Sequence, residues 1–470
     1  MIKNQGVNPY LPSWEFIPDA EPYVFDGRVY IYGSHDKFNG EVYCLNDYVT
    51  WSAPVDDLSD WRYEGVIYKK TDDPINPDGS MCLYAPDVTV GPDGRYYLYY
   101  VLDKVSLVSV AVSDSPAGPF EFYGYVQDKD GVRLGDRPTD EPQFDPGVLT
   151  EGDKTLLLTG FCAVGDKSRT GAMATVLGPD MITIVEETVT VLPSEPYAKG
   201  SGFEGHEFFE APSPRKIGDT YYIIYSSTVF HELCYATSKH PTKGYEFQGV
   251  IVSNNDMHID TYKPANKPMA YGGNNHGSIV EIEGNWYIFY HRHSNGQNFS
   301  RQACLEPIEV LEDGSIPQVE ITSSGPNGGP LEGRGEYPTY IACHLFHKDE
   351  QAYSGDLGMD TQFPRITQEG KDGDEEIGYI RNMTDSATAG FKYFDIQDVT
   401  KFSIKYRGYG NGHFEVKTSW DGEALATFPV SNKNVWTEEE SEINIPNGVH
   451  SIYITYRGHG RPSLKSFAFA

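Results

Sequence analysis

The sequence has few cysteines, and they stand far apart from one another. No CxxC pair or other metal-type spacing occurs among them, so the sequence offers no cysteine-based metal site. Cysteines dispersed singly among apolar, strand-like runs are typical of buried, reduced thiols, and we therefore expect a cytoplasmic protein. A secreted protein whose leader has been removed is the alternative. The six cysteines are Cys44, Cys82, Cys162, Cys234, Cys304 and Cys343.

Positive charge is also scarce. The chain has 37 Lys and Arg residues against 68 Asp and Glu residues, which gives a formal net charge of −31 at pH 7. Such a surface repels nucleic-acid phosphates and anionic lipid, so we expect no nucleic-acid and no membrane partner. No apolar run is long enough to span a bilayer, and the first residues, MIKNQGVNPYLPSWEF, lack a signal-peptide pattern. The charge is compatible with a neutral substrate such as a sugar.

Several short enzyme motifs are missing as well. The sequence contains no GxSxG, no P-loop and no GxGxxG in a strand–helix context. His206, His231, His291 and His293 show no HExxH-like spacing, so we expect no zinc site.

Tyrosine, glycine and proline are abundant instead. The 470 residues include 34 Tyr, 48 Gly and 31 Pro, which favours β-structure because Tyr suits half-buried strands while Gly and Pro interrupt them. One pattern recurs five times: a short apolar strand, a tight turn with Gly, and a strand that is usually rich in Tyr. Period-two alternation around DG, GD and GN turns indicates hairpins. The copies are PYVFDGRVYIYGS from Pro22, DVTVGPDGRYYLYY from Asp87, GVLTEGDKTLLLTG from Gly147, SPRKIGDTYYIIYS from Ser213 and SIVEIEGNWYIFYH from Ser278.

The even spacing of these copies predicts the architecture. Equivalent positions are 67, 59, 66 and 66 residues apart, at Tyr30, Tyr97, Leu156, Tyr222 and Ile288. Further short strands lie between the copies, so each unit has about four strands, the content of one propeller blade. We predict an all-β protein whose residues 1–322 form a five-bladed β-propeller. A long β-sandwich is the rival, but it does not explain the spacing.

The C-terminal part follows another pattern. After Ile321 the stretch TSSGPNGGPLEGRGEYP predicts a linker. Residues 340–470 contain alternating strands without the repeat, such as KFSIKYRG and SIYITYRG, and predict a β-sandwich.

The repeat also aligns a set of polar residues. Each stands ten to twelve residues before its equivalent position, at the start of a strand that we predict to be the innermost of its blade. Converging carboxyls are costly, because like charges and burial raise their pKa values, so we predict a functional site at the axis. Two carboxyls beside a glycosidic bond can hydrolyse it, and a third can raise the pKa of the acid. The set is Asp19, Asp87, Asp145, Glu210 and His276.

Four stretches in order resemble glycoside hydrolase family 43: PDAEPYVFDGRVYIYGSHD, PQFDPGVL, FFEAPSPRKIGDTYYIIYSS and GGNNHGSIVEIEGNWYIFYHRH. The resemblance implies an inverting enzyme on a five-bladed propeller. It implies that Asp19 is the general base, that Asp145 tunes the pKa of the acid, and that Glu210 is the general acid. It also implies that His276 contacts the substrate site and lies beside a structural calcium ion near the axis, and that Arg301 in SRQACLEPI contacts the sugar.

Two further carboxyls, Glu21 and Asp87, lie in or beside the family motifs. Many members have Pro directly after the base, whereas here Ala20, Glu21 and Pro22 follow Asp19. Glu21 is therefore a rival base, and we favour Asp19 from its distance to the downstream GSHD. Asp87 in YAPDV also matches a family motif, and we expect it to serve substrate binding as wall or support of the site.

The C-terminal domain resembles a family 6 carbohydrate-binding module. Such modules commonly carry an Asn and an aromatic residue before the last strand, and GRPSLKSFAFA lacks them. We expect this domain either to brace the propeller or to shape the mouth of the pocket.

Within this family we expect an exo-acting α-L-arabinofuranosidase that acts on arabinoxylan-derived oligosaccharides. A β-xylosidase, or an enzyme with both activities, is the nearest alternative, and an endo-arabinanase is more distant. A non-catalytic carbohydrate-binding propeller is an alternative of another class, which the joint presence of Asp19, Asp145 and Glu210 disfavours. Trp14, Phe230 and Tyr271 are candidates for stacking on a sugar, although most aromatic side chains in a propeller pack between blades.

Overall fold

The computed structural model describes residues 5–254, 256–267, 273–348 and 363–470. In this part of the chain the strands form seven sheets. No helix among the described residues has the length and apolar character needed to cross a membrane. The helical segments described are four short 3-10 turns at Lys70–Asp72, Glu195–Tyr197, Gly325–Asn327 and Thr339–Ile341.

Five sheets from the first two-thirds of the chain are the blades of a β-propeller. Each of the first four contains four antiparallel strands in chain order. Blade 1 contains β1 (Glu21–Phe25), β2 (Arg28–Tyr32), β3 (Tyr48–Pro54) and β4 (Arg62–Tyr68). Blade 2 contains β5 (Asp87–Val90), β6 (Tyr96–Tyr100), β7 (Ser109–Ser113) and β8 (Glu121–Tyr125). Blade 3 contains β9 (Gly147–Glu151), β10 (Lys154–Thr159), β11 (Gly171–Leu177) and β12 (Ile184–Pro193). Blade 4 contains β13 (Phe208–Ile217), β14 (Thr220–Ser227), β15 (Glu232–Ser238) and β16 (Glu246–Ser253). Blade 5 has three described strands, β17 (Ile279–Ile282), β18 (Asn285–His293) and β19 (Arg301–Ile308).

The predicted five-bladed propeller is therefore confirmed. The five equivalent positions of the repeat all lie in the second strand of their blades, which is why the spacing is regular. Those positions are Tyr30 in β2, Tyr97 in β6, Leu156 in β10, Tyr222 in β14 and Ile288 in β18.

Tyrosine side chains fill much of the space between neighbouring blades. Between blades 1 and 2, Tyr32, Tyr48 and Tyr100 are fully buried in one apolar cluster. Their hydroxyl groups find acceptors, as where Tyr32 donates to the carbonyl of Pro116 at 2.6 Å. A tyrosine ring supplies apolar area while its hydroxyl needs a partner, so the hydroxyls add direction to this packing.

The N-terminal segment closes the ring by packing along β19. The side chain of Asn8 donates to the carbonyl of Leu305 at 2.8 Å and accepts from the amide of Leu305 at 3.0 Å. The amide of Tyr10 donates to the carbonyl of Ala303 at 3.1 Å. Ala20 forms a parallel bridge with Gly277, so the starts of blades 1 and 5 lie side by side.

The C-terminal part is a sandwich of two six-stranded sheets. One sheet contains β20 (Leu331–Glu332), β22 (His344–His347), β25 (Ala387–Ile396), β27 (Gly410–Lys417), β28 (Ala426–Val430) and β30 (Gly448–Gly460). The other contains β21 (Gly335–Pro338), β23 (Arg365–Thr367), β24 (Tyr379–Arg381), β26 (Lys401–Gly408), β29 (Lys433–Glu442) and β31 (Ser463–Phe469).

The stretch that composition predicts to be a linker belongs to this sandwich. It carries β20 and β21, and Leu331 is fully buried in the sandwich core. The second domain thus starts at Leu331 rather than near residue 340. The Gly and Pro residues of the predicted linker separate short strands of the sandwich instead of connecting two domains flexibly.

Buried polar contacts join the two domains. The ammonium group of Lys392, in β25, is fully buried and lies 3.1 Å from a carboxylate oxygen of Asp256 and 2.9 Å from one of Glu320. On the propeller side, the guanidinium group of Arg292 donates to the carbonyl of Ala342 at 2.6 Å. Separating the two domains would leave these buried charges without partners, which is unfavourable. The contacts therefore hold the domains in one arrangement.

Candidate active site

A cavity of about 600 Å³ opens at the axis of the propeller. All five blades contribute to its wall, and most of the lining is apolar or aromatic. Five of the six site residues predicted from the sequence line this cavity together: Asp19, Asp145, Glu210, His276 and Arg301.

Unusual backbone conformations direct the carboxyl side chains to the axis. Asp19 and Asp145 precede β1 and β9 and have φ angles of 60° and 44°. Glu210 lies in β13 where the pairing with β14 is irregular, and Ala211 beside it has a φ of 63°. Positive φ is uncommon for residues other than glycine and clusters at functional sites. A positive-φ turn at the start of three innermost strands brings the three carboxyl groups to one place.

Asp19 is held by a buried arginine. The guanidinium group of Arg301 donates from one terminal nitrogen to both carboxylate oxygens of Asp19, at 3.0 and 3.2 Å. Its Nε and other terminal nitrogen donate to the carboxylate of Asp36 at 2.8 and 2.9 Å. Although burial alone raises the pKa of Asp19, Arg301 and the nearby His276 hold that pKa well below its usual value. Asp19 is therefore ionised.

His291 supports the backbone at Asp19. The amide of Asp19 donates to Nδ1 of His291 at 3.3 Å, so Nδ1 carries no proton. Nε2 lies 2.9 Å from the carbonyl of Asn274 and is the donor there. His291 is fully buried, and burial lowers its pKa, in agreement with a neutral ring.

His276 stands between the carboxyl groups. Its Nδ1 lies 3.8 Å from Asp19 and 3.9 Å from Asp145, and its Nε2 lies 3.6 Å from Glu21. Burial lowers the pKa of the imidazole, but the surrounding carboxylates outweigh burial and raise it to about 9. The ring is therefore a cation at neutral pH.

Glu210 and Asp145 form the opposite side of the cavity. Burial raises the pKa of Glu210 to about 7, although His276 and a 3.3 Å hydrogen bond from the amide of Asn274 oppose the rise. Burial also raises the pKa of Asp145, which Glu210 and Asp19 increase further against the effect of His276. Ionised Glu210 makes Asp145 harder to ionise, so the pair retains a proton near neutral pH.

Asp87 does not line the cavity. Asp87 pairs with Tyr99 in the same register in which Glu21 pairs with Tyr32, so it is the counterpart of Glu21, one inward-facing step deeper than Asp19. It is fully buried, and its carboxyl accepts from the hydroxyl of Tyr23 and the amide of Val148, both at 2.7 Å. Of the two places expected for Asp87, the wall of the site or a support for it, the structure agrees with the support. Side chains two apart on a strand share a face, so counting along the sequence does not separate the two depths.

Glu21, the rival base, also lies in this deeper layer and outside the cavity lining. Its carboxylate accepts from Arg215 at 2.6 Å and from Ser213 at 2.9 Å. Arg215 also donates to the carbonyls of Ile279 and Pro214, and it lies over the ring of Tyr23. The geometry thus favours Asp19 over Glu21 as the base.

The calcium ion that the resemblance implies does not fit this arrangement well. Calcium takes six to eight oxygen ligands. Around His276, however, both oxygens of Asp19 accept hydrogen bonds from Arg301, and one oxygen of Glu21 accepts from Arg215. The guanidinium groups of Arg301 and Arg215, rather than a metal ion, therefore supply positive charge to these two carboxylates.

One group of side chains could hold a metal elsewhere in the described residues: His206, Glu232 and Cys234. Nδ1 of His206 lies 2.6 Å from Glu232, and the thiol of Cys234 lies 3.3 Å from the same oxygen. Hydrogen bonds thus already use these donor atoms. All six cysteines are described, and each is buried and outside any disulfide.

Three functional positions were not singled out from the sequence. Asn274 donates to Glu210, and its own side-chain oxygen is buried with no hydrogen-bond partner in the described part of the chain. Asp36 holds Arg301, and the ring of Tyr43 lies under that guanidinium group, 4.8 Å from its centre. Asn274 and Asp36 fall inside GGNNHGS and GSHD, so the motifs themselves contained the signal.

Phe230, a predicted stacking residue, lines the cavity and packs on Phe209 with ring centres 4.8 Å apart. Trp14 packs instead against the apolar cluster around Trp51. Tyr271 lies outside the described residues.

The chain is similar to known glycoside hydrolases. Residues 11–316 match the sequence profile of Glycosyl hydrolases family 43. A protein from Thermoclostridium stercorarium named Xylosidase/arabinosidase is 72% identical over 468 residues, which cover 99% of each chain.

Two solved structures are also similar. One is a family 43 arabinoxylan arabinofuranohydrolase from Bacillus subtilis in complex with cellotetraose, with a TM-score of 0.53 and 20% identity over 98% of this chain and 97% of that one. At that identity the likeness concerns the fold, and it extends over both domains. The other is a β-xylosidase/α-arabinofuranosidase from a compost microbial metagenome in complex with xylotriose, with a TM-score of 0.53 and 26% identity over 68% of this chain and 98% of that one. The profile match, the near-complete alignment and the axial carboxyls together show that the chain is a glycoside hydrolase and belongs to family 43.

Proposed function

We propose that this enzyme removes terminal α-L-arabinofuranosyl residues from arabinoxylan-derived oligosaccharides by a single inverting displacement. The observation that carries the proposal is the pair of carboxyls held in opposite states in one cavity. Arg301 keeps Asp19 ionised, whereas burial raises the pKa of Glu210 to about 7. Below that pH a base and an acid are present together, as acetal hydrolysis requires.

In the proposed reaction, Asp19 accepts a proton from a water molecule as that water attacks the anomeric carbon. Glu210 donates its proton to the leaving oxygen of the glycosidic bond. Asp145 and Glu210 repel each other when both are ionised, so the pair keeps one proton before the reaction, and we place that proton on Glu210. Arg301 and His276 hold Asp19 in place, because both lie within 4 Å of its carboxylate.

The positions of the two carboxyls support inversion. Asp19 comes from blade 1 and Glu210 from blade 4, and these blades are not neighbours in a ring of five. A wide separation leaves room for the attacking water, and an inverting pair stands roughly 6.5–9.5 Å apart. Proton NMR of the product, recorded before mutarotation, tests this step. Retention of configuration would overturn it and would make Asp19 a nucleophile.

The lining of the cavity supports a small neutral sugar as ligand. Phe144, Phe161 and Phe209 pack in sequence with ring centres 5.3 and 5.2 Å apart, and Phe230 extends the row. Such a wall suits the apolar face of a sugar. The unpartnered oxygen of Asn274 suits a sugar hydroxyl, because a buried acceptor without a donor is unfavourable.

The choice of pentose is the finer part of the proposal. The Thermoclostridium stercorarium relative is named for both xylosidase and arabinosidase activity, so β-xyloside cleavage is the second candidate. The test is kcat/KM for 4-nitrophenyl α-L-arabinofuranoside and for the β-D-xyloside under the same conditions. A clear preference for the xyloside would replace arabinose by xylose as the principal substrate and would leave the two-carboxyl mechanism intact.

A further inference from the structure

Residues 36–47, which make up most of the connection between β2 and β3, form one wall of the cavity, and we call them the base loop. Its Asp36 accepts two hydrogen bonds from the guanidinium group of Arg301 and one from the amide of Arg301, and its Tyr43 lies under the same guanidinium group. The amide of Cys44 donates to Asp36 at 3.0 Å. Because Arg301 in turn holds Asp19, the place of the catalytic carboxylate depends on the conformation of this loop.

A carboxylate of the sandwich domain binds the base loop at both of its ends. Asp372 lies between β23 and β24, and one of its oxygens accepts from the amide of Phe38 at 2.6 Å. The other oxygen accepts from the side-chain amide of Asn46 at 3.1 Å. The same amide nitrogen of Asn46 donates to the carbonyl of Asp36, also at 3.1 Å. A chain of contacts therefore runs from Asp372 through Asn46, Asp36 and Arg301 to Asp19.

A second contact from the sandwich reaches the neighbouring loop, which joins β18 to β19. The amide of Asn295 donates to the carbonyl of Ile366 at 2.6 Å, and the hydroxyl of Thr367 donates to the side chain of Asn295 at 2.8 Å. Asn295 then donates to the side chain of Asn39 in the base loop at 2.7 Å. The sandwich thus supports the base loop directly and through blade 5.

We propose that the sandwich is part of the catalytic unit and that its Asp372 is a positioning residue, which fixes the base loop and through it Arg301 and Asp19. Hydrogen bonds to an ionised acceptor are stronger than neutral ones, so one carboxylate with two donors can order a loop of this length. The inference rests on the proposed function in one respect, since it takes Asp19 as the base. It assigns the sandwich a role that needs no sugar-binding site of its own.

The test compares three variants of the intact chain. Asp372→Ala removes both contacts, and Asp372→Asn keeps an acceptor for the amide of Phe38. Asp374→Ala is the matched control, because Asp374 is exposed in the same loop and accepts from Lys371 within that loop. We expect Asp372→Ala to lower kcat/KM by between about tenfold and about a hundredfold, mainly through kcat, as small displacements of catalytic groups do. Asp372→Asn should recover much of the loss, and Asp374→Ala should match the wild type.

Two readouts test whether the lost activity reflects the base rather than the acid, and whether the effect passes through the chain of contacts. A misplaced base slows every substrate, so the loss should be equal for activated aryl glycosides and for natural oligosaccharides. In addition, Asn46→Ala should reproduce much of the loss, and the double variant should lose little more than either single one. Fully additive losses would count against the chain of contacts.

Hydrogen exchange tests the contact between Asp372 and the base loop without any substrate. Residues 36–47 should exchange faster in Asp372→Ala than in the wild type or in Asp374→Ala. Unchanged exchange in the base loop, or unchanged turnover by Asp372→Ala, would overturn the role of Asp372. Absence of wild-type turnover on both pentosides would instead count against the proposed function and would leave the exchange result to decide on the loop.

Discussion

On the Asp19 side of the cavity the carboxylate has cationic neighbours, whereas on the Glu210 side the carboxyl is set among aromatic rings. Arg301 lies 3.0 Å from Asp19, and the ring of His276 is also nearby. Glu210 bridges to the backbone of Phe161 and has the amide of Asn274 as a hydrogen-bond donor. Neighbouring groups, rather than residue type, therefore divide the acid and base roles between these two carboxyls.

The largest effect is expected from Asp19→Asn, which keeps the shape of the side chain and removes the base. We expect kcat/KM to fall by between about 10² and 10⁴, whatever the leaving group. Steady-state kinetics on aryl and natural substrates measure this loss. Glu21→Gln is the comparison variant, since Glu21 lies one layer deeper. If Glu21→Gln lost as much activity at an unchanged melting temperature, Glu21 would be the base.

Glu210→Gln should be nearly as damaging on natural oligosaccharides, because their leaving alcohols need protonation. On aryl glycosides with good leaving groups the loss should be much smaller, since such groups depart without a proton. The ratio of the two losses is the quantity to measure. Similar losses on both kinds of substrate would show that Glu210 is not the acid.

A smaller effect, on pH dependence rather than on maximal rate, is expected from Asp145→Asn. In the wild type, kcat/KM should fall as the pH rises through about 7, where Glu210 loses its proton. The amide that replaces the Asp145 carboxyl in this variant has no charge to repel the carboxylate of Glu210. The pKa of Glu210 should therefore fall, and the basic limb should move to lower pH. A variant that stays active with an unmoved basic limb would show that Asp145 remains protonated throughout this range.

The smallest effect is expected from chelation. Since Arg215 supplies positive charge to the axial carboxylates, EDTA should leave the melting temperature and the activity unchanged. Thermal unfolding with EDTA, and then with added calcium, measures this directly. A fall in melting temperature that calcium reverses would show that the protein binds a structural calcium ion.

Much of the fold and several site residues could be predicted because they repeat. The hairpins recur at even spacing, so Asp19, Asp145, Glu210 and His276 could be placed at one axis from counting alone. Asp87 was misplaced because a period of two puts it on the same face as the cavity residues but at another depth.

Contacts between distant parts of the chain could not be predicted in this way. Nothing near Asp372 in the sequence indicates that it binds Phe38, which stands 334 positions away. Likewise, the motif around Arg301 does not show that Asp36 and Asp19 share its guanidinium group. Such contacts depend on how the domains and loops pack rather than on local pattern.

The closure of the ring by Asn8 and Leu305 has a consequence for synthesis of the protein. These residues are 297 positions apart, so blade 5 has its neighbour only after most of the chain has left the ribosome. Contacts of such long sequence separation slow folding, because a large loop must close before they form. At a rate of roughly 5–20 residues per second, the first residues wait for roughly 15–60 s before Leu305 is made. During that interval the early blades have an open edge, and the carboxyl groups of blades 1, 3 and 4 exist without the arginine and histidine that blade 5 supplies. Activity therefore arises late, after the last blade has joined the first and the sandwich has reached the base loop.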